Sequence, residues 1–407
     1  MAAYDSYKDS GVKWLGKVPG HWEVKKLRAF FERRNQKVSS LDFSPLSVTK
    51  NGVVPQMENV AKSGDTDNRR LVKIGDFVIN SRSDRKGSSG LSELEGSVSF
   101  VNTIMTPNNR ILPKFCNYLL KSNAFVEENY RNGHGIVADL WTTSFQEQKS
   151  IVLSIPPREE QEAIVSYLDY VTAKIDEAIE AQQKMIDALN ERKQIIITRA
   201  VTRNMDKWYK IPLRFVFEMR NGYTPSKADP SFWENGTIPW YRMEDIRKSG
   251  RFLNESIQTI SPKAVKSKGT FKAGSYIMAI CTASIGEHAM LIADSLANQQ
   301  FMNFKVHKSL INELSPKFIF YYFYVIGKFC RDNANSTCFQ YVDMAALKRY
   351  PIPVPSIAEQ QDIVTYIEQA TSAIDSSLSA TEHRLNLLQE RKQIIINEVV
   401  TGKKKVI

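Results

Sequence analysis

Two segments of the chain have a regular spacing of apolar residues that predicts long helices. In the first segment, residues 156–202, apolar or tolerated residues recur at alternating steps of four and three, the spacing of a coiled-coil seam. After Pro157, no proline or glycine interrupts this pattern. The predicted seam consists of Ile164, Leu168, Val171, Ile175, Ala178, Gln182, Met185, Leu189, Arg192 and Ile196.

The second segment is an internal repeat of the first. Residues 355–401 align with residues 156–202 without a gap, and 20 of the 47 aligned positions are identical. The block ERKQIII at residues 191–197 recurs unchanged at residues 390–396. A repeat of this length predicts that the chain contains two related halves.

The second copy departs from the seam of the first near its centre. Ser377, Thr381 and Arg384 stand at seam positions, and we expect the neighbouring Leu378 and Leu385 to take their place. A 44-residue helix would be roughly 65 Å long, at about 1.5 Å per residue. Helices this long and narrowly striped need a helical partner, and each repeat is the natural partner of the other. An ordinary helical bundle core remains the alternative.

Both predicted helices have recognisable start signals. Acidic residues follow Pro156 and Pro157 within the first turn, where the helix dipole favours negative charge. Ser356 and Glu359 have the spacing of a capping box, in which each side chain bonds the backbone N–H of the other.

The remaining sequence alternates short strand-like runs, glycine turns and shorter helical stretches. We therefore predict an α+β fold, with two similar globular α/β domains at residues 1–155 and 204–354, separated by long helices at 156–203 and 355–407. The helices are expected to pair as an antiparallel coiled coil, which makes the chain pseudo-two-fold symmetric. The clearest strand runs are 77–79, 97–101 and 276–280, and the clearest helical stretches are 115–129 and 318–331.

The positive charge is concentrated in the two globular domains. Of the net charge of +11, residues 1–155 contribute +6 and residues 204–354 contribute +8, whereas the two helical segments are slightly acidic. Two basic domains on an acidic helical support indicate two contact points on one polyanion, of which the phosphate backbone of DNA is the commonest.

In the first domain, residues 81–90 form the densest polar and basic loop. Arginine and lysine donate naturally to guanine edges and phosphates, and serine can serve either. A surface loop without a DNA contact is the alternative. The predicted DNA-binding residues of this domain are Lys50, Arg82, Arg85, Lys86, Ser88, Asn132 and His134.

In the second domain, several short segments combine aromatic, amide, hydroxyl and basic side chains. Such mixtures are typical of surfaces that contact base edges and phosphates, although a structural role is the alternative for any one residue. The predicted DNA-binding residues here are Tyr223, Thr224, Lys227, Arg242, Thr282, Ser284, Asn298 and Gln299.

No catalytic or cofactor-binding motif is present in the sequence. There is no phosphate-binding GxxxxGK[ST] loop, no glycine-rich dinucleotide fingerprint and no Asn/Asp-Pro-Pro-aromatic tetrapeptide. The five histidines are scattered and lack metal-ligand spacing. We therefore expect no catalytic residue, no metal and no bound cofactor. The four cysteines, without a CxxC pair, and the absence of a secretory or membrane-spanning stretch indicate a cytoplasmic protein.

The repeated Glu-Arg-Lys tripeptide matches half of a nuclease signature. Both copies lie within the predicted helices, away from any acid carried on a strand, so a contact with a partner protein is the better interpretation. The residues concerned are Glu191, Arg192, Lys193, Glu390, Arg391 and Lys392.

The order and duplication of these motifs resemble the specificity subunits of bacterial type I restriction–modification systems, over essentially the whole chain. Residues 7–16 (YKDSGVKWLG) resemble the start of such subunits, and 222–226 (GYTPS) with 238–240 (IPW) resemble the opening of their target-recognition domains. Glu160-Gln161 and the ERKQIII block resemble their central conserved helical region. The first domain lacks the GYTPS-like opening, which suggests that the two domains read different sequences.

This resemblance implies a non-catalytic subunit with two target-recognition domains, each reading one half of a bipartite site in double-stranded DNA. Two methylation subunits would bring S-adenosylmethionine for adenine methylation. Restriction subunits, with ATP and Mg²⁺, would carry out cleavage, and no membrane is involved. Two other classes stay open: a stand-alone DNA methyltransferase or nuclease, and a coiled-coil scaffold that binds DNA without sequence preference.

Overall fold

The computed structural model describes residues 3–56, 68–135, 141–335 and 340–406, except the side chains of Ser83 and Ser249. The chain forms two compact units. Unit 1 consists of Met1–Gln183 and Glu382–Ile407, and unit 2 consists of Lys184–Thr381. Each long helix therefore contributes one half to each unit.

Unit 1 is built from short antiparallel strands. Its largest sheet has four strands in the order β10-β9-β12-β4, and a three-stranded sheet has the order β11-β8-β5. The pairs β1-β2, β6-β7 and β13-β3 complete the unit. The strands are β1 Tyr7–Asp9, β2 Lys17–Pro19, β3 Glu23–Lys26, β4 Phe31–Arg34, β5 Lys37–Val38, β6 Leu46–Thr49, β7 Gly52–Pro55, β8 Arg69–Val72, β9 Phe77–Asn80, β10 Ser89–Leu91, β11 Gly96–Ser99, β12 Asn102–Pro107 and β13 Val152–Ile155.

Short helices pack on the sheets of unit 1 before the first long helix begins. They are α1 Pro113–Lys121, α2 Asn123–Arg131 and α3 Phe145–Gln148, followed by the long helix α4 Arg158–Thr202. The predicted helical stretch at 115–129 is helical but is divided into α1 and α2 at Ser122, which has an extended backbone. The Ser122 hydroxyl accepts a hydrogen bond from the Phe125 N–H and thereby caps α2, which is a typical role for serine.

Unit 2 repeats this plan with a larger sheet. Five strands lie in the order β15-β22-β19-β20-β17 and three in the order β18-β16-β21, while β14 pairs with β23. The strands are β14 Tyr209–Pro212, β15 Phe217–Asn221, β16 Ile238–Tyr241, β17 Phe252–Leu253, β18 Gln258–Ile260, β19 Tyr276–Ala279, β20 His288–Leu291, β21 Leu296–Ala297, β22 Phe301–Val306 and β23 Pro351–Val354. The helices are α5 Leu213–Val216, α6 Met243–Ser249, α7 Pro316–Asp332, α8 Met344–Arg349 and the long helix α9 Ile357–Val400.

Within unit 1, the first half of α4 packs antiparallel against the last part of α9. Lys392 Nζ lies 2.6 Å from the Asp176 carboxylate, while Val399 and Val400 join the core cluster that contains Ile164. Residue numbers thus increase along one helix as they decrease along the other. This packing confirms, within the unit, that the two repeats are partners.

Unit 2 contains the same contacts between the other halves of the helices. Lys193 pairs with Asp375. At the repeat offset of 199, Lys193 corresponds to Lys392 and Asp375 to Asp176, which form the ion pair in unit 1. The core of unit 2 includes Ile197, Ala200 and Val201 from α4 together with Val364 and Ile367 from α9.

The predicted seam of α4 is correct at Ile164, Leu168 and Ile175 and wrong at several later positions. Ile186 is only 7% exposed and Ile197 is fully buried, whereas the predicted seam residue Met185 is 53% exposed and Arg192 is exposed. The difference arises because adjacent apolar residues, such as Met185 and Ile186, permit two phases. In α9, Leu378 and Leu385 are half-buried and Ser377 and Arg384 are exposed, as expected, but Thr381 remains buried at 8% exposure.

A buried glutamine joins α4 to the globular part of unit 1. The Gln161 Oε1 accepts a hydrogen bond from the Leu112 N–H at 2.7 Å, and its Nε2 donates to the carbonyls of Arg110 and Pro156 at 2.9 Å. Because Gln161 is 1% exposed, these bonds satisfy backbone groups that water does not reach.

Gln360 forms the same joint in unit 2. Its Oε1 accepts a hydrogen bond from the Ser315 N–H at 2.7 Å, and its Nε2 donates to the carbonyls of Glu313 at 2.7 Å and Pro355 at 2.9 Å. The repeated Glu-Gln dipeptide therefore encodes a duplicated connection between helix and domain.

The first and last described segments meet in unit 1, beside the start of α4. Glu160 accepts hydrogen bonds from the Tyr4 hydroxyl at 2.5 Å and from the Trp22 indole N–H at 3.1 Å. Lys405 lines the same cleft as Tyr4 and Glu160. A Cβ atom added to Gly402, just beyond α9, would lie 3.2 Å from the Trp22 ring.

At the corresponding place in unit 2, the chain runs without a break from the end of α4 to Trp208. Trp208 donates from its indole N–H to Glu359 at 3.4 Å, and Arg203 and Asn204, just beyond α4, line the same cleft. Ser356 and Glu359 form the expected capping box at the start of α9, with the Ser356 N–H donating to Glu359 at 3.0 Å and the Glu359 N–H donating back at 3.3 Å.

Candidate nucleic-acid interface

In unit 1, the predicted basic loop begins at one edge of the four-stranded sheet. Strand β9 ends at Asn80, opposite Asn102 at the start of β12. Arg82 then forms a β-bridge with Thr142, which also bridges to His134. Three segments distant in sequence therefore meet at this place, which we call the proximal edge and define as residues 80–87, 132–134 and 141–143.

The basic side chains of the proximal edge are exposed and paired with acids. The Asp84 carboxylate lies 3.1 Å from Arg82 and 3.6 Å from Arg85, and these arginine side chains are 53% and 65% exposed. Lys86 lies 2.8 Å from Glu127. Exposed ion pairs contribute at most about 1 kcal/mol each, so phosphate or base edges can displace the carboxylates at little cost.

Aromatic and amide groups form the floor of the proximal edge. The Lys86 ammonium lies 4.4 Å above the Tyr130 ring, and the indole N–H of Trp141 donates to the Tyr130 carbonyl at 2.9 Å. His134 is 68% exposed and lies 3.6 Å from Glu147. Burial alone would raise the pKa of Glu147, but hydrogen bonds from Ser144 and the backbone and the nearby His134 hold it below its ordinary value.

The remaining predicted residues of unit 1 are less directly available. Ser88 is 5% exposed, so its hydroxyl does not face the surface. The Asn132 amide donates to the Glu128 carbonyl at 2.8 Å. Lys50 lies in a groove beside the long helices, where its carbonyl accepts a hydrogen bond from Lys121 at 3.1 Å. The structure therefore brings Arg82, Arg85, Lys86, Asn132 and His134 together, places Lys50 elsewhere, and buries Ser88 beside the edge, where its carbonyl accepts a hydrogen bond from the Asn80 N–H at 2.9 Å.

Unit 2 has an equivalent edge on its five-stranded sheet. Strand β15 ends at Asn221 opposite Met302, and β19 ends at Ala279 opposite Phe301, so both ends lie at the same side of the sheet. Cys281 bridges to Tyr341, as Arg82 bridges to Thr142 in unit 1 at a sequence offset of 199. We call this place the distal edge and define it as residues 221–224, 280–287, 298–300 and 340–342.

Five of the predicted DNA-binding residues lie together at the distal edge, and all five are half-buried or exposed. The Thr224 hydroxyl donates to the Gln299 side-chain carbonyl at 2.5 Å, and Asn298 accepts a hydrogen bond from the Gln300 N–H at 3.0 Å. Thr282 and Ser284, on the short turn after β19, are half-buried.

The other predicted residues of unit 2 have separate surroundings. Tyr223 donates its hydroxyl to the Ala264 carbonyl at 2.9 Å and also accepts a bond from the Lys266 N–H at 3.1 Å. Arg242 precedes α6, where its guanidinium lies 3.0 Å from Glu244. These contacts fit a structural role, whereas Lys227 is exposed.

The sequence-based prediction of DNA-binding residues did not include a basic segment that lies beside Tyr223. Lys263, Lys266 and Lys268 are exposed, and the Lys266 ammonium lies 4.4 Å from the Tyr223 ring. Arg220 donates to the Lys268 carbonyl, and burial lowers the pKa of the Arg220 guanidinium. The signal was present, because residues 261–275 contain four lysines and no acid.

The six residues predicted to contact a partner protein differ in exposure. Glu191, Arg192, Glu390 and Arg391 are exposed. Lys193 and Lys392 are 27% and 25% exposed and form the ion pairs with aspartates on the neighbouring helix. Their nearest partners therefore lie within the chain itself.

Within the part of the chain that the structure describes, no helix combines the length and apolarity needed to cross a lipid bilayer. In the same residues, no group of three or more His, Cys, Asp or Glu side chains is arranged to hold a metal ion.

Two sheet edges, each on a similar framework of long helices, carry or adjoin exposed basic side chains and are candidates for contact with DNA. Residues 205–385 match the type I restriction modification DNA specificity domain family. Over this segment, and at lower identity over nearly its whole length, the chain is similar to type I restriction enzyme specificity subunits.

Several relatives show the extent of the similarity. The EcoprrI specificity subunit of Escherichia coli is 42% identical over 166 residues, which span 39% of this chain and 41% of that subunit. A putative type I restriction enzyme specificity subunit of Methanocaldococcus jannaschii, MjaX, is 21% identical over 98% of both chains. The first match thus spans less than half of its relative, whereas the second spans nearly the whole length.

A solved structure shows the same fold. It comes from work on complex assembly and conformational transition of the type I restriction–modification system, has a TM-score of 0.60, and aligns with 95% of this chain and 99% of its own at 14% identity. At this identity, the likeness concerns the fold alone.

Proposed function

We propose that this chain is the non-catalytic specificity subunit of a type I restriction–modification complex and that it reads a bipartite sequence in double-stranded DNA. The proximal edge would read one half-site and the distal edge the other. Adenine methylation and DNA cleavage would be carried out by separate partner subunits.

The observation that carries this proposal is a contrast between framework and edge. The glutamine joints and the interhelical ion pairs are the same in both units, as described above. At the edges, however, Arg82 corresponds to Cys281, Arg85 to Ser284, and Thr142 to Tyr341 at the offset of 199. A common framework that presents different donors and acceptors is what two readers of different base sequences require.

The charge distribution supports a DNA ligand. Both globular segments are basic and the helices slightly acidic, and the exposed arginines and lysines cluster at or beside the two edges. Phosphate contacts would supply sequence-independent affinity, and the edge side chains would supply discrimination between bases.

A duplicated surface on the long helices supports binding of two copies of one partner. Many equivalent exposed positions elsewhere on the helices differ between the repeats, for example Lys174 and Ala373, although Asp176 and Asp375 are the same. In contrast, one exposed set is identical in both copies and includes an apolar residue: Glu191, Arg192 and Ile195, with Glu390, Arg391 and Ile394. We propose that each set contacts one methylation subunit, which brings S-adenosylmethionine. Restriction subunits, with ATP and Mg²⁺, would join the same complex.

The test of DNA reading is to express the chain with its methylation subunit and to sequence the genome for methylated adenine. The proposal expects one bipartite motif with a fixed gap. Binding that ignores sequence would instead identify a scaffold, and methylation by the purified chain alone would identify an enzyme.

The test of the partner surface is the double variant Arg192→Glu, Arg391→Glu. We expect loss of the methylation subunit during size-exclusion chromatography, with unchanged thermal stability of the isolated chain. The matched control is Lys174→Glu, on an exposed position that differs between the repeats. Retention of two partner copies by the double variant would contradict the assignment.

A further inference from the structure

The turn that follows β19 in unit 2 contains a strained residue. Thr282 has a φ of +67°, a left-handed conformation that β-branched residues rarely adopt. Such strain persists only where surrounding contacts enforce it. The Thr282 N–H donates to the Gln340 carbonyl at 2.8 Å, while its side-chain hydroxyl has no hydrogen-bond partner among the residues that the structure describes.

The contact that holds this turn is made between two glycines. A Cβ atom at Gly327, in the middle of α7, would lie 2.5 Å from the carbonyl oxygen of Gly286, and a Cβ atom at Gly286 would lie 2.5 Å from the carbonyl oxygen of Gly327. Both clashes involve backbone, so no side-chain rotation can relieve them. The Arg331 guanidinium adds a hydrogen bond to the Ile285 carbonyl at 3.2 Å.

The equivalent turn in unit 1 lacks this close contact. Gly87 also has a positive φ, of +78°, but a Cβ atom there would meet only Val126 Cγ1 at 3.8 Å, an ordinary van der Waals distance. Of these two equivalent turns in the described residues, only the distal one therefore packs backbone to backbone against a helix.

We propose that Gly327 and Arg331 are positioning residues for base recognition at the distal edge, and that they hold Thr282 so that its free hydroxyl contacts a base of the distal half-site. This inference rests on the proposed DNA-reading function. It assigns the geometry of one recognition turn to two residues of α7, the buried Gly327 and the exposed Arg331, through their contacts with the turn.

The deciding variant is Gly327→Ala. Alanine is a better helix former than glycine, so helix propensity does not oppose this change. The added Cβ must push the Gly286 backbone away and move the turn. Thr282→Val removes the hydroxyl while keeping the branched shape, and Arg331→Met removes the bond to the turn.

The experiment is methylated-adenine sequencing for each full-length variant expressed with its methylation subunit, together with the thermal unfolding midpoint. We expect Gly327→Ala and Thr282→Val to relax the same base position of the distal half-site, each by at least about fivefold, the lower bound for a single base contact. Arg331→Met should relax that position by a smaller factor. The proximal half-site should be unchanged in all three.

The control is Lys328→Ala, at the next position of α7, where the side chain is 61% exposed and pairs with Asp332. It should leave both half-sites unchanged. Unaltered discrimination in Gly327→Ala, or relaxation at a position different from that of Thr282→Val, would overturn the inference. If Gly327→Ala does not fold, Arg331→Met and Thr282→Val still decide through agreement or disagreement on one position. A wild-type complex without any sequence preference would instead refute the proposed function.

Discussion

At the proximal edge, one carboxylate serves two arginines. Asp84 neutralises part of the charge of Arg82 and Arg85 in the free protein and keeps both guanidinium groups near the turn. Such pairing would limit the side-chain entropy lost if the arginines bind DNA as proposed. The edge is thus partly organised without DNA.

Replacement of Arg82, Arg85 and Lys86 by alanine should weaken DNA binding, because at least one of them should meet phosphate or base. A base contact should cost about 1–3 kcal/mol and relax one half-site, whereas a phosphate contact should weaken all sequences and reduce the salt dependence. Fluorescence anisotropy at several salt concentrations separates these outcomes. Lys174→Ala, on the exposed face of α4, is the control, and equal affinities would show that this loop does not contact DNA.

His288 lies at the start of β20 with no exposure to solvent, among the rings of Phe320, Phe323 and Tyr324. Burial, and then the positive charge of Arg251, lower the pKa of His288 well below its ordinary value of 6.5. The folded protein therefore keeps this imidazole neutral at pH values where the unfolded chain binds a proton.

The stability of the protein should consequently fall as the pH drops below about 6.5, with a slope from this group of up to about 1.4 kcal/mol per pH unit. His288→Phe should reduce that slope, since a phenyl ring cannot take up a proton. Urea unfolding at pH 7 and pH 5 measures the effect. His134→Ala, at an exposed position, should keep the wild-type slope, and an unchanged slope in His288→Phe would exclude His288 as the source.

Sequence patterns indicated the exposed basic loop at residues 81–90 but not the surroundings of its residues. Ser88 looks like its neighbours in the sequence, yet it is buried because it precedes a strand of the central sheet. The lysines at 263–268 were overlooked because their proximity to Tyr223 depends on a tertiary contact. Local composition predicts which loops are basic, whereas folding decides which of their side chains face outward.

The long helices were the most predictable elements, and their buried faces were less so. Spacing and capping signals predicted two helices, which extend over Arg158–Thr202 and Ile357–Val400. In the second helix, Leu378 is half-buried beside a polar seam position. Several later seam positions were wrong because Met185 and Ile186 both suit a seam, and only the packing partner decides between them. The short strands mix polar and apolar residues without a regular period, so their positions were harder to predict than those of the long helices.

Gln161 and Gln360 provide a direct test of how each helix is attached to its domain. Replacement of either by leucine keeps the approximate volume but leaves one backbone N–H and two carbonyls without these bonds. Each unsatisfied buried group costs about 1–3 kcal/mol, so we expect a loss of several kcal/mol in the free energy of unfolding. Denaturant titration measures it. Gln183→Leu, on the exposed surface of α4, is the control, and a change below about 0.5 kcal/mol at Gln161 would contradict this role.

On the scale of the whole molecule, each long helix belongs to both compact units, and the division falls at Gln183 in α4 and Thr381 in α9. Both long helices continue without interruption across this division. We expect the length of these helices to set the gap of the recognised site.

Insertion of four residues near Ala181 should lengthen the gap between the half-sites by about one or two base pairs. Four helical residues add about 6 Å, compared with about 3.4 Å per base pair. The insertion advances the seam by one step, so apolar residues can still find partners with local unwinding. Methylated-adenine sequencing reports the motif. An active variant with an unchanged gap would show that the helices do not set the spacing, and altered half-site bases would show that they take part in reading.

The meeting of Tyr4 and Lys405 in one cleft makes the order of the elements cyclic. In unit 2, the path from α4 to Trp208 is covalent, whereas in unit 1 the end of α9 and Trp22 are adjacent only in space. A gene rearranged to join residue 406 to residue 3 through a short glycine-serine linker, and opened between Arg203 and Trp208, should encode a protein with the same contacts. Circular dichroism and the methylated motif would both match those of the parent chain. The folded framework would then depend on these contacts and not on which of the two connections is covalent.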